Sequence, residues 1–161
     1  MIEQLIVIGF FALNMLLIWL FRRFGWYRVP GSFIFALLPL ATVFFEQPRF
    51  ELDFFWWEIA GAVAIVLGIG LLVWSKLASS SEGLAVSGPY QFVRHPMYLG
   101  LIFIDVGWWW AWAAVYSFYL GLIFLALVWF QAYLEEKLIL EKAFGDQYRE
   151  YRRHAGMFWV K

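Results

Sequence analysis

Cysteine is absent from this chain, which excludes disulfides, thiolate catalysis and zinc–cysteine sites. Charge is scarce: 15% of the 161 residues are ionisable acids or bases, and the 12 of each sign cancel. A soluble domain carries about a quarter. Zero net charge leaves no basic footprint for a nucleic acid. No His, Asp or Glu group has metal-ligand spacing, so no metal is expected. The start, Met1-Ile2-Glu3-Gln4, lacks the basic residues that open a secretory signal, and the apolar run behind it is longer than a signal's. It is expected to be a retained membrane helix. Repeats and low-complexity stretches are missing too.

What is present is hydrocarbon. The chain is 64% hydrophobic and 23% aromatic, with a mean hydropathy of +0.72. A bilayer core takes about 17–25 apolar helical residues, and runs of that order cover 5–21, 29–45, 59–75 and 97–131. The last is too long for one crossing and suits two short ones. Its middle carries Trp108, Trp109, Trp110, Trp112 and Tyr116, the composition of an interfacial aromatic belt. The expected fold is all-α, a polytopic membrane helix bundle of about five transmembrane helices. The expected single domain, 1–161, divides into an N-terminal helical hairpin at 1–58 and a core at 59–161.

Basic residues near helix ends favour the cytoplasm. With the N-terminus outside, Arg22, Arg23, Arg28, Lys76, Arg94 and every basic residue after Gln131 fall on that side, and Arg49 falls outside among acids. The C-terminus is then cytoplasmic. Breaks are expected at Val29-Pro30-Gly31-Ser32 and Glu46-Gln47-Pro48-Arg49. In the third span Gly61, Ala64, Gly68 and Gly70 suggest close helix contact, with Ala64 and Gly68 four apart. A cofactor-contacting role for Gly68-Ile69-Gly70 is the weaker alternative. After Gln131, residues 132–144 keep apolar positions at helical spacing among charges, as an amphipathic helix leaving the bilayer would. Gly145 reads as a helix end and Asp146 as the next N-cap. The basic piece around Arg149, Arg152 and Arg153 suits an anionic leaflet surface, and His154 belongs with it.

Three polar features remain. One is the island 87–100, Ser-Gly-Pro-Tyr-Gln-Phe-Val-Arg-His-Pro-Met-Tyr-Leu-Gly. Irregular backbone at a membrane boundary persists where it is buried in protein or lines a cavity. The second is the pair Glu135-Glu136. The third is Asp105 inside the fourth span, where a carboxylate is a functional candidate or else bonds a neighbour such as Asn14 or an indole. A tight hairpin of spans four and five would bring the first two to one cytoplasmic pocket. Carboxylates beside Tyr and Trp rings suit a cationic or amine-bearing ligand. His95, Tyr90 and the amides near Gly88 add hydrogen bonds for a nucleoside or carboxylate. Taken singly, Arg94 also suits a topology anchor and the glutamates a solvated helix face.

Gly88-Pro89-Tyr90-x-x-x-Arg94-His95-Pro96-x-Tyr98-x-Gly100, followed beyond the hairpin by Glu135-Glu136 and Phe144-Gly145-x-x-Tyr148-x-x-Tyr151, resembles the isoprenylcysteine carboxyl methyltransferase and phospholipid methyltransferase superfamily. The resemblance covers about 75–158. It implies an integral membrane methyltransferase that uses S-adenosyl-L-methionine from the cytosol and a lipid-like or isoprenylcysteine-type substrate from the bilayer. It implies cofactor contacts at Ser75, Glu82, Gly83, Leu84, Ala85, Tyr90, His95, Pro96, Met97, Tyr98 and Glu136, with Glu136 on the methionyl ammonium. Catalytic roles fall to His95, Arg94 and Glu135. Where the isoprenylcysteine enzymes carry a substrate-binding Arg one turn before that Glu, this chain has Ala132, preceded by Gln131. Arg94, Arg152 and Arg153 are the remaining candidates for a carboxylate. The ending Gly156-Met157-Phe158-Trp159-Val160-Lys161 lacks the family's proline-containing tail. A sterol-type reductase using NADPH shares the Arg-His-Pro-x-Tyr-x-Gly element, and a non-catalytic membrane protein on the same fold is the third reading.

Overall fold

The computed structural model describes residues 42–52, 55–79 and 83–161. Those residues form four helices and no strand: α1 (Trp56–Ala78), α2 (Pro96–Ala111), α3 (Val115–Glu135) and α4 (Glu141–His154). A 3-10 turn (Gly88–Gln91) precedes α2, and a π-helical turn (Glu136–Leu140) joins α3 to α4 without a break. The expected spans at 5–21 and, up to residue 41, at 29–45 lie outside the described residues, as do the Val29-Pro30-Gly31-Ser32 loop and Asn14.

Among the described residues, two helices are long and apolar enough to cross a bilayer: α1, with 23 residues, and the stretch Val115–His154, with 40. The second is far longer than one crossing needs, and its apolar part ends near Gln131. The segment expected as the fourth span is helical as α2, but at 16 residues it is not among the helices long enough to cross. The expected hairpin turns at Trp112, Ala113 and Ala114, within the aromatic stretch. Ala113 takes a positive φ of 49° there, which is costly for a residue with a Cβ. The segment after Thr42 braces this turn: Phe50 N–H donates to the Ala113 carbonyl at 2.8 Å and Val115 N–H to that of Pro48 at 3.2 Å. The Arg49 region and the hairpin tip therefore share one end of the molecule. One member of the expected belt is buried instead. Trp109 lies between α2 and α3, where the missing side chain of Gly121 makes room for its indole.

α1 and α2 pack antiparallel along a seam of glycines. A Cβ on Gly68 would lie 2.6 Å from the Gly100 carbonyl oxygen, and one on Gly61 2.7 Å from that of Gly107. The seam thus uses positions seven apart on each helix, where the sequence suggested Ala64 with Gly68. Gly70 faces open space. Small residues let backbones approach where hydrocarbon offers no other driving force. On α3 the buried positions are Ser117, Gly121, Phe124, Val128 and Ala132, one helical stripe. Phe124, Val128 and Ala132 close on Tyr98 and Leu101 of α2. Large apolar side chains on the rest of α1, among them Val63, Val66 and Leu77, point outward, as lipid contact requires.

The glycine seam generates a paired expectation. Gly68→Leu overpacks the α1–α2 contact and should lower stability by about 1–3 kcal/mol, whereas Gly70→Leu should be neutral. Thermal unfolding in detergent micelles compares them, and equal effects would contradict the seam.

Candidate functional site

The site forms at the end of the bundle opposite the hairpin tip. Pro96 opens α2 at its first position, where a missing N–H costs nothing, and a proline holds the residue before it away from the helical region. His95 accordingly sits at φ −123°, ψ 60°. Arg94 and His95 therefore leave the helix line and turn toward the far end of α3. There Arg94 grips Glu136 with two hydrogen bonds, Nε to Oε1 at 2.8 Å and Nη2 to Oε2 at 3.2 Å. His95 Nε2 lies 3.1 Å from the same Oε1. Arg94 and Glu136 are only 8% and 2% exposed.

Residues 155–158 complete the enclosure. Arg94 N–H donates to the Gly156 carbonyl at 2.7 Å and His95 N–H to that of Met157 at 3.2 Å. The Arg94 guanidinium also donates to the Ala155 carbonyl, and the Phe158 ring lies beside the His95 imidazole. Tyr151 donates to the Tyr90 carbonyl at 2.6 Å, tying α4 to the 3-10 turn.

The two glutamates occupy different surroundings. Burial on its own would raise the Glu136 carboxyl, but hydrogen bonds from His95 and Arg94 and their charge outweigh it and hold the group at about 2, against an ordinary 4.5. Glu136 is thus an anion already engaged by two side chains of its own chain, with room on Oε2 for one further donor. Glu135 is half-buried and accepts from the Tyr98 hydroxyl at 2.8 Å. Gln131 Nε2 donates to the same Tyr98 oxygen at 3.2 Å. Burial, and then the Glu135 charge, push the Tyr90 phenol upward. Arg94 pairs with Glu136, whereas Glu135 makes no ion pair among the described residues and is held by the Tyr98 hydroxyl.

The convergence expected from the hairpin is therefore present: Arg94, His95 and Tyr98 all touch the glutamate pair. Pro96 is buried as the first residue of α2, and Met97 is half-buried between His95 and Tyr98. Ser75 is fully buried, but its hydroxyl bonds the Leu71 carbonyl of its own helix at 2.6 Å. Gly83 is exposed and Leu84 and Ala85 are partly so, and no described hydrogen bond ties their side chains to the glutamates. Glu82 lies outside the described residues. Ala132 is fully buried in the core and Gln131 takes up the neighbouring role on Tyr98. Arg152 is paired with Glu141 at 2.8 Å and Arg153 with Glu150 at 3.1 Å, so both are engaged away from the cluster. Asp105 is buried beside Trp109 and Gly121, without hydrogen-bond geometry to any described residue.

Two participants carry no clear sequence signal, and a third, Tyr148, stands in the quoted motif without a role read from it. The π-helical turn starts at Glu136 itself, and such turns often mark functional positions. The 155–158 segment acts through backbone carbonyls that no side-chain pattern announces. Tyr148 is fully buried, and its hydroxyl lies beside Glu136 and Arg94 without a hydrogen bond to either. Burial first and the Glu136 charge second push its phenol upward. The spacing of Tyr148 and Tyr151 on one helix was the available hint.

The profile of the phospholipid methyltransferase family matches residues 56–147, more than half of the chain. The chain belongs to that family. It is a membrane protein of a methyltransferase family, and the matched stretch begins with α1 and takes in both site segments. No curated protein and no solved structure matches the chain. The match to a methyltransferase family lends no support to the reductase reading.

Glu136 has its ordinary value when unfolded and about 2 when folded. The phospholipid methyltransferase family member should keep this contribution above pH 4.5 and lose it as pH falls from there toward 2. In Glu136→Gln that loss should vanish, and Arg94→Met should cost about 3–5 kcal/mol at neutral pH by leaving a buried anion unpaired. Unfolding temperatures recorded across that acid window check both, and parallel curves for wild type and Glu136→Gln would contradict the assignment.

Proposed function

We propose that this protein is a multi-pass, S-adenosyl-L-methionine-dependent methyltransferase acting on a lipid-like acceptor, with its N-terminus outside and its site on the cytoplasmic face. The observation that carries this reading is the Glu135 carboxylate, held by the Tyr98 hydroxyl and without an ion pair among the described residues, next to a Glu136 already paired with Arg94. Such a cluster favours a cation, and rings facing it add cation–π attraction. The residues fit the cofactor: the open position on Glu136 Oε2 would accept from an ammonium, the Tyr148 hydroxyl is a buried polar group without a hydrogen-bond partner among the described residues, and Tyr90 and Tyr98 supply aromatic faces.

When bound, that cofactor supplies an electrophilic methyl group on a sulfonium. The protein's task is alignment. Arg94 fixes Glu136 and, through the backbone carbonyls of Ala155 and Gly156, fixes the tail that packs on it. His95 is held by Glu136 on one side and by the Met157 carbonyl through its backbone on the other, so its ring orientation is set before any ligand arrives. Holding reacting atoms about 3–3.5 Å apart can supply about 7–11 kcal/mol of a barrier. An amine acceptor must also lose a proton. Glu135, the more accessible carboxylate, accepts it, and Tyr98 and Gln131 hold that carboxylate in place. A carboxylate acceptor needs no base but does need a cation, and no arginine stands at 131 or 132. The proposed boundary between a 1–58 hairpin and a 59–161 core places all these residues in the core.

Incubation of the purified chain with methyl-labelled cofactor and a total lipid extract tests the reading. The expected result is label in a lipid fraction, with turnover reduced at least about 100-fold in Glu135→Gln, the low end of what a positioned proton acceptor contributes. Absence of labelled lipid together with no thermal stabilisation by S-adenosylhomocysteine would contradict it.

A further inference from the structure

The hairpin tip, at the far end of the molecule from the glutamate cluster, holds a cavity that methyl transfer does not use. Its volume is about 430 Å³, and Phe44, Glu46, Gln47, Arg49 and Trp112 are among its lining residues. Hydrogen bonds fix its frame. Gln47 Nε2 donates to the Thr42 carbonyl at 2.5 Å, and its Oε1 accepts from the Tyr116 N–H at 2.8 Å. The Thr42 and Ser117 hydroxyls share a buried hydrogen bond at 2.9 Å. Arg49 pairs with Ala114 as an isolated antiparallel bridge, between the backbone bonds of Pro48 and Phe50. Ala113, next to Trp112 in the chain, keeps its positive φ of 49° within this frame. Backbone held in so sparsely populated a region clusters at ligand sites. Two opposite charges line the cavity, and neither is paired. The Arg49 guanidinium lies over the Trp112 ring, Cζ 5.9 Å from its centroid, within cation–π range. Its N–H groups make no hydrogen bond or ion pair among the described residues, and the exposed Glu46 carboxylate makes none either. Phe44 stands against Trp108 and Trp112, with ring centroids 6.4 and 6.3 Å away, and is still largely exposed.

We propose that this cavity is a second ligand site, taking a small zwitterion with an apolar body. Its oxyanion meets Arg49, its ammonium meets Glu46, and its hydrocarbon lies on Phe44 and Trp112. A guanidinium presents a planar fork that matches a carboxylate. A simple anion would be repelled by Glu46 and a simple cation by Arg49, so a ligand bearing both signs satisfies the pair. The chemistry is that of a free hydrophobic amino acid. A zwitterionic lipid headgroup carries the same two charges, but Glu46 and Arg49 are exposed at the end of the bundle beside exposed Pro48 and Glu51. That polar rim suits a ligand arriving from water. The site is independent of the function proposed above.

The test is calorimetric titration of the full chain, in detergent micelles, with L-phenylalanine. Saturable binding is expected. 3-Phenylpropionate lacks the ammonium and phenylalaninamide lacks the carboxylate. Each should bind about tenfold more weakly, the effect of one hydrogen bond to a charged group. Arg49→Met should weaken L-phenylalanine about tenfold without weakening phenylalaninamide. Glu46→Gln should weaken it similarly without weakening 3-phenylpropionate. Glu58→Gln, at an exposed acid in the first turn of α1 and outside the cavity lining, should change nothing. If Arg49→Met does not fold, Arg49→Gln replaces it, with intact helicity by circular dichroism as the criterion. Absence of saturable binding overturns the site, and so does equal affinity for the three compounds in every variant. Binding of glycerophosphoethanolamine as tight as that of L-phenylalanine overturns the amino-acid reading in favour of a lipid headgroup.

Discussion

One buried ion pair holds the site end of this molecule together. Arg94 and Glu136 are 42 positions apart and nearly inaccessible to water, and each would cost several kcal/mol to bury alone. Such a pair contributes little net stability compared with well-packed hydrocarbon. What it contributes is specification: only one arrangement of the Arg94-His95-Pro96 turn and the end of α3 satisfies both charges. Every other feature of the site follows from that arrangement. His95 shares an oxygen of Glu136, the 155–158 segment docks on the Arg94 backbone and guanidinium, and Glu135 is left to the Tyr98 hydroxyl.

The hairpin makes the pair possible. α2 and α3 reverse within three residues, so the start of one and the end of the other lie side by side. The glycine seam then fixes α2 against α1 and brings Ser75, Lys76 and the Gly88 turn to the same end. Close backbone packing on one side and a polar lock on the other leave little freedom for the residues between. A site that must align two reactants benefits from that rigidity, because its orientation is set by folding and needs no rearrangement when ligands arrive. The kink at Gly145, with φ 49° and ψ −121° where the sequence reads a helix end, lets the last turns of α4 fold back and place Tyr148 and Tyr151 over the cluster.

Much of this was legible in the residues. A polar island and an acidic pair stand out because the surrounding chain is hydrocarbon, and a stretch of 35 apolar residues has to turn back once. Those two facts bring His95 and Tyr98 to the glutamates before any coordinates are consulted. The identity of Arg94's partner was less legible, since Arg94 at a membrane boundary also suits a topology anchor. Glu136 looked free for a ligand because sequence spacing does not report hydrogen bonds across 41 or 42 positions. Trp109 looked like a belt residue, as its neighbours are, because only the tertiary approach of Gly121 distinguishes a buried indole from an interfacial one. The heptad spacing of the glycine seam was obscured by Ala64 and Gly70, small residues that fit a shorter repeat. The tail was illegible for a simpler reason: it works through carbonyl oxygens, which every residue carries.

The measurement that bears most directly on this account is a double-mutant cycle on Arg94 and Glu136, using Arg94→Met, Glu136→Met and the double variant, with unfolding free energies read at neutral pH. Side chains in direct contact couple by about 0.5–3 kcal/mol, and independent ones add within about 0.5 kcal/mol. The account predicts coupling toward the upper end of that range, with the double variant more stable than either single one. Additive losses would mean that the two segments do not meet, and the site built on their meeting would have no foundation.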